Sequence, residues 1–114
     1  MADEPELLRI LYRDFNTRRM EEVLGRMHSD VIWPNRMEGG EIHGVDGVRD
    51  YWTRQWAMLD PHVEPVDIRS DGDGRYVVDV HQVVRDREGK LLDDRMVVHV
   101  YRIREGKIER MDVE

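Results

Sequence analysis

Apolar residues recur at helical spacing through the first half of the chain and at alternating spacing through the second. Leu7, Leu8, Leu11, Tyr12 and Phe15 fall on one stripe, predicting a first amphipathic helix. Asp3-Glu4-Pro5-Glu6 opens it, with Asp3 as cap, Glu6 three residues on and proline in the first turn. Asn16-Thr17 breaks this helix and caps a second, carried by Met20, Val23, Leu24 and Met27 and weakened by Gly25. Val31-Ile32-Trp33 is a short apolar run ended by Pro34-Asn35, as at the end of a strand. A glycine-rich loop follows from Arg36 to Gly44, with room for a short strand around Ile42. Asp46 is placed to cap a third helix, with Val48, Tyr51, Trp52, Gln55, Trp56 and Leu59 on one face and Pro61 as its stop.

From Val63 onward the period is two. Strands are expected at Val66–Ser70, Tyr76–Arg85, Leu91–Arg104 and Ile108–Val113, with turns at Asp71–Gly74, around Gly89 and at Glu105-Gly106-Lys107. Helices first and a strand meander after predict an α+β domain, three N-terminal helices packed on one face of a curved, mainly antiparallel sheet. No repeat, linker or low-complexity segment divides the chain, so residues 1–114 form one domain.

The long hairpin holds the chemistry. Its first strand splits into Tyr76, Val78, Val80, Gln82, Val84 on one face and Val77, Asp79, His81, Val83 on the other. The second splits into Met96, Val98, Val100 and Arg95, Val97, His99, Tyr101, Ile103. With three loop residues centred on Gly89, Asp79 lies opposite His99 and His81 opposite Val97; a two-residue turn slips the register and separates them. In the first register Asp79, His81 and His99 share an apolar face, where polar groups need partners or a ligand. A carboxylate beside an imidazole favours imidazolium and fixes the tautomer, the usual tuning of a general base. The opposite face then carries Val78, Val80, Val84, Met96, Val98 and Val100. Such a patch is too apolar to stay wet, and a two-fold, sheet-to-sheet homodimer covers it.

Charge and composition narrow the partners. Eighteen basic against twenty-five acidic residues leave −7, with no basic block, which argues against nucleic acid and anionic membranes. No long apolar run or leader pattern is visible, and a cytoplasmic location is expected. The absence of cysteine removes disulfides, thiolate catalysis and cysteine-bound zinc. Asp79, His81 and His99 could in principle hold a divalent ion, but no ligand-spacing motif supports it, and no cofactor or metal is expected. His28 and His62 read as solvated, His43 as part of the mobile loop, and Asp93-Asp94 as hairpin surface.

Three segments carry a resemblance: Asp30-Val-Ile-Trp-Pro-Asn35, Gly44-Val-Asp-Gly-Val-Arg-Asp-Tyr-Trp52 and Val98-His-Val-Tyr-Arg-Ile-Arg-Glu-Gly-Lys-Ile108. With the element order, they make the chain resemble the nuclear transport factor 2-like fold, a cone-shaped α+β barrel that includes steroid Δ-isomerase, limonene epoxide hydrolase and SnoaL-like polyketide cyclases. The resemblance implies a pocket lined by Tyr12, Trp33, Asn35, Trp52, Trp56, Asp79, His81, Val97 and His99. It places Asn35 at the isomerase's base aspartate or the hydrolase's water-positioning asparagine. Tyr12 falls at the oxyanion tyrosine, given a one-residue shorter loop, and His99 at a protonated aspartic acid. Asp79 and His81 fall at the hydrolase's arginine and one of its aspartates, the other lying near Asp112 or Val113. Asparagine cannot take the isomerase's proton, and the hydrolase's Asp-Arg-Asp trio is missing.

Two function classes follow. One is a cofactor-free isomerase, cyclase or hydrolase acting by acid–base chemistry on a small, partly apolar carbonyl compound: His99, oriented by Asp79, moves a proton while Tyr12 and Asn35 polarise an oxygen. The other is a non-catalytic ligand-binding or dimeric interaction module.

Overall fold

The computed structural model describes residues 4–36 and 38–114. Helix α1 (Glu4–Asn16) turns Leu8, Leu11 and Tyr12 into the core, as their spacing requires. Asp3, the expected cap, lies outside the described residues. Helix α2 (Met20–Leu24) is one short turn that starts without a side-chain cap. Thr17 instead bonds back to the Arg13 and Asp14 carbonyls. Strand β1 (Met27–Pro34) is longer than the Val31–Trp33 run that announced it, and β2 (Glu41–His43) forms at Ile42 as expected. Helix α3 (Val45–Met58) is capped by Gly44, not Asp46, which lies in the first turn and pairs with Arg49. Gly44 sits at φ 83°, and its N–H reaches the Val31 carbonyl at 2.7 Å, so the chain leaves β2 directly into the helix.

Strand β3 (Leu59–Ser70) begins straight after α3, with Pro61 inside it rather than terminating the helix. Proline is tolerated because β3 is an edge strand. Strands β4 (Arg75–Asp86), β5 (Leu91–Arg104) and β6 (Lys107–Val113) complete one six-stranded sheet in the order β2-β1-β6-β5-β4-β3. Every neighbouring pair is antiparallel except β1 with β6. Irregularities in the β1–β6, β3–β4, β4–β5 and β5–β6 pairings let the sheet curve around the helices, yet it stays open, with β2 and β3 as edges.

The β4–β5 register overturns the expected pairing. Asp79 lies opposite Val98, His99 opposite Val78, and Val97 opposite Val80. Asp86 fixes the turn: its carboxylate accepts from the Glu88 and Lys90 N–H groups, and Gly89 takes φ 92°. Val84 then pairs with Asp93 but Arg85 with Leu91, so Leu92 is left over in a bulge. One residue of slip moves a whole strand face. Val78 and Val80 are fully buried against the helices, and Val84 also points inward, not to the outer face. The outer face carries Val77, Val83, Met96, Val98 and Val100 together with Asp79 and His81. The core lies between α1, α3 and the inner face, where Leu8, Trp52, Val78, Tyr101 and Ile108 are almost wholly enclosed.

Candidate functional site: an aromatic cavity closed by a tyrosine–histidine chain

A cavity of about 240 Å³ opens between the helices and the inner sheet face. Alternation on β5 aims Val97, His99 and Tyr101 into it, helical spacing brings Leu11, Tyr12 and Phe15 from α1, and α3 supplies Tyr51, Trp52 and Gln55. Trp33 of β1 meets Trp52 edge to face, ring centres 5.4 Å apart. Asn16 holds the wall from behind: its side-chain amide donates to the Val63 carbonyl at 2.8 Å and accepts the Val63 N–H at 2.9 Å, tying α1 to β3.

The deepest polar groups form a chain. Tyr101 O–H donates to the Tyr12 oxygen at 2.8 Å, and Tyr12 lies 2.8 Å from His99 Nδ1. We assign the Tyr12 hydrogen to Nδ1, the tautomer that carries the imidazole proton on Nε2. Nε2 makes no hydrogen bond among the described residues, so it is the imidazole atom left for a ligand. Burial, helped by the positive charge of Arg36, lowers the His99 pKa from 6.5 to about 4. His99 is therefore neutral at pH 7. Burial also raises the Tyr12 pKa well above its ordinary value, with Tyr101 adding to the effect, and it raises that of Tyr101 likewise. All three groups stay uncharged near neutrality, and a neutral donor chain buried in an apolar wall polarises an acceptor strongly.

Of the residues expected at the site, Tyr12, Trp33, Trp52, Val97 and His99 line the cavity. Asp79 does not: on the outer face it pairs with Arg69 at 2.8 Å. His81 is also outside, its Nε2 2.6 Å from Asp94, which lies on the hairpin surface as expected. The proposed Asp79–His99 dyad and the Asp79/His81/His99 cluster are thus split across the sheet by the register. Asn35 is absent from the cavity wall; its side-chain oxygen accepts the Glu38 N–H at 2.9 Å and organises the loop. Trp56 stacks behind Trp52 at 5.6 Å, covered by the Arg18 guanidinium 5.0 Å from its ring.

Tyr101, Tyr51, Arg36, Gln82 and Arg95 were not singled out for the pocket, yet all line it. Tyr101 was legible, being two residues from His99 on the same strand face. Arg36 had no such signal, because a loop has no period. Among the described residues, no carboxylate lines the cavity.

A fold of helices on a curved open sheet around one such cavity is that of a small α+β pocket domain. The family model for the SnoaL-like domain matches residues 8–111, and the chain belongs to that family, within the nuclear transport factor 2-like superfamily. No curated protein matches the sequence. Among solved structures, a nuclear transport factor 2-like protein of unknown function from Burkholderia pseudomallei superposes with a TM-score of 0.86 at 23% identity, covering 100% of this chain and 91% of that one. TerC, crystallised with polyporic acid, gives 0.80 at 28% identity, over 95% and 86%. A candidate polyketide cyclase from Xanthomonas campestris gives 0.81 at 15% identity, over 94% and 85%, a likeness of fold alone. Among the described residues, no helix is long and apolar enough to cross a membrane.

Proposed function

We propose that the chain is a small-molecule pocket protein. Its ligand is a small, flat, mostly apolar compound whose carbonyl oxygen accepts from His99 Nε2–H. The observation that carries this reading is the Tyr101–Tyr12–His99 chain ending at an uncommitted donor inside an apolar cavity. The volume supports a ligand of about two rings: an apolar cavity of about 150 Å³ takes benzene, and this one has about 240 Å³. The pairing of TerC with polyporic acid supports an organic small molecule as ligand.

Polarisation, not proton abstraction, is the chemistry this wall supports. A histidine with a pKa of about 4 is a weak base, and no lining carboxylate stands in for one. For a cofactor-free cyclase or isomerase reaction the chain would act on the developing enolate oxygen, as a neutral oxyanion site does, while solvent entering the open mouth takes the α-proton. A hydrolase reading has less support, since hydrolysis needs a base to activate water. Titrating the protein with 1-tetralone, a bicyclic ketone, while following tryptophan fluorescence tests the pocket. Exchange of the ketone's α-hydrogens in D₂O tests polarisation. Binding that Tyr12→Phe weakens, with faster exchange in the wild type than in that variant, is expected. Failure of 1-tetralone and its hydroxylated and carboxylated analogues to bind would remove the reading.

Homodimerisation through the outer sheet face stays a proposal of its own. Met96 is 56% exposed there, beside Val98 and Val100, with charges of both signs around them. Light scattering should show a dimer that Val98→Asp disperses; a monomeric wild type at micromolar concentration would end the proposal.

A further inference from the structure

We propose that the cavity selects an aromatic acid, with Arg36 at the mouth binding the anionic group while the rings lie against Trp33, Trp52 and Val97. This rests on the pocket reading above and names the class of ligand. Among the described residues, two guanidinium groups, Arg36 and Arg95, line the cavity, and no carboxylate does. Arg95 is committed, its Nε 3.1 Å from Asp93, which also accepts from Gln82 at 2.9 Å. Glu38 is held by Arg54 at 2.6 Å. Arg36 forms no ion pair among the described residues; only its backbone N–H is engaged, donating to the Tyr51 hydroxyl at 3.1 Å.

That arrangement sets Arg36 apart from Arg95 on the same wall. The chain's net charge of −7 repels anions in general, and Arg95, the other guanidinium on the cavity wall, has Asp93 beside it. An unpaired guanidinium at the rim of an aromatic cavity is the geometry that binds a carboxylate through two parallel N–H···O bonds. The Tyr51 hydroxyl fixes the backbone at Arg36, so the side chain starts from a held position. The field of Arg36 already reaches His99, which shows that a charge at the mouth and the deep donor act on the same space. A ligand anion on Arg36 would cancel that field.

Fluorescence titration with 2-naphthoate and the neutral isostere 2-naphthamide, at pH 7 and low salt, tests the proposal. Wild type should bind the acid roughly tenfold more tightly than the amide, a preference that added salt reduces. Arg36→Gln should erase the preference, weakening binding of the acid far more than that of the amide, and Arg36→Lys should restore part of it. In the wild type, bound naphthoate should raise the His99 pKa and bound naphthamide should not. Equal affinity for the two probes, or a preference that survives Arg36→Gln, overturns the acid-selective site while amide binding keeps the pocket reading standing. If neither naphthalene probe nor 1-tetralone binds, the pocket reading itself is wrong and this proposal falls with it.

Discussion

His99 makes folding stability depend on pH in a way that its burial dictates. In the unfolded chain it titrates near 6.5, in the fold near 4, because the cavity opposes the charged form. Between those values the unfolded chain binds the extra proton, so stability falls with falling pH. The contribution is fully present above about pH 6.5, shrinks below it, and is gone once the pH is under about 4. At about 1.4 kcal/mol per pKa unit, the drop amounts to roughly 3 kcal/mol. His99 is only 7% exposed, so solvent screening removes little of this. Carboxylates titrate in the same window, and the perturbation that isolates the histidine is His99→Gln. Urea unfolding of both proteins at pH 7.0, 5.5 and 4.5 gives two curves of stability against pH. The wild-type curve should fall more steeply, the difference widening by roughly 2 kcal/mol over that range, since the rest of the drop comes below pH 4.5. Parallel curves would mean that His99 titrates normally, and the buried, neutral site would not exist.

Other consequences follow from the register. Asp79→Ala should leave the His99 titration unmoved, as followed by NMR, because Asp79 sits on the other face with Arg69; a clear change would refute the pairing. Val78→Ala should cost roughly 2 kcal/mol in denaturant unfolding and Val98→Ala, on the outer face, well under half of that in the monomer. Equal losses would contradict the assignment of faces. Gly89→Ala, at φ 92°, should cost about 1 kcal/mol by the same assay, since an L side chain is strained there, and an unchanged midpoint would count against the turn.

The element order was legible because helical and alternating periods leave different marks. Leu8, Leu11 and Tyr12 declared their stripe, and Val97, His99 and Tyr101 their face. Alternation also divided β4 correctly into two sets. It could not say which set faces the helices, because Val78 and Val80 on one side and Val77 and Val83 on the other are equally apolar. The choice was made by the Asp86 turn and the bulge at Leu92, a matter of one residue in a charged loop. Asp79 and His81 were lost from the site for that reason. Tyr12, Trp33 and Trp52 survived because their elements have only one apolar face to bury. Arg36 escaped notice because its place at the mouth depends on how the loop after Pro34 folds, with Asn35 and Tyr51 as its anchors.

The proposed pocket stands on a neutral His99 that accepts from Tyr12 at Nδ1 and offers Nε2–H to a ligand. Nitrogen-15 NMR of the imidazole, in free and 1-tetralone-saturated protein at pH 7, reads both nitrogens directly. Expected are an unprotonated Nδ1 and a protonated Nε2 in the free protein, with the Nε2 resonance moving on ligand addition while Nδ1 stays bonded to Tyr12. A protonated Nδ1, an imidazolium at pH 7, or an Nε2 signal indifferent to bound ketone would contradict it.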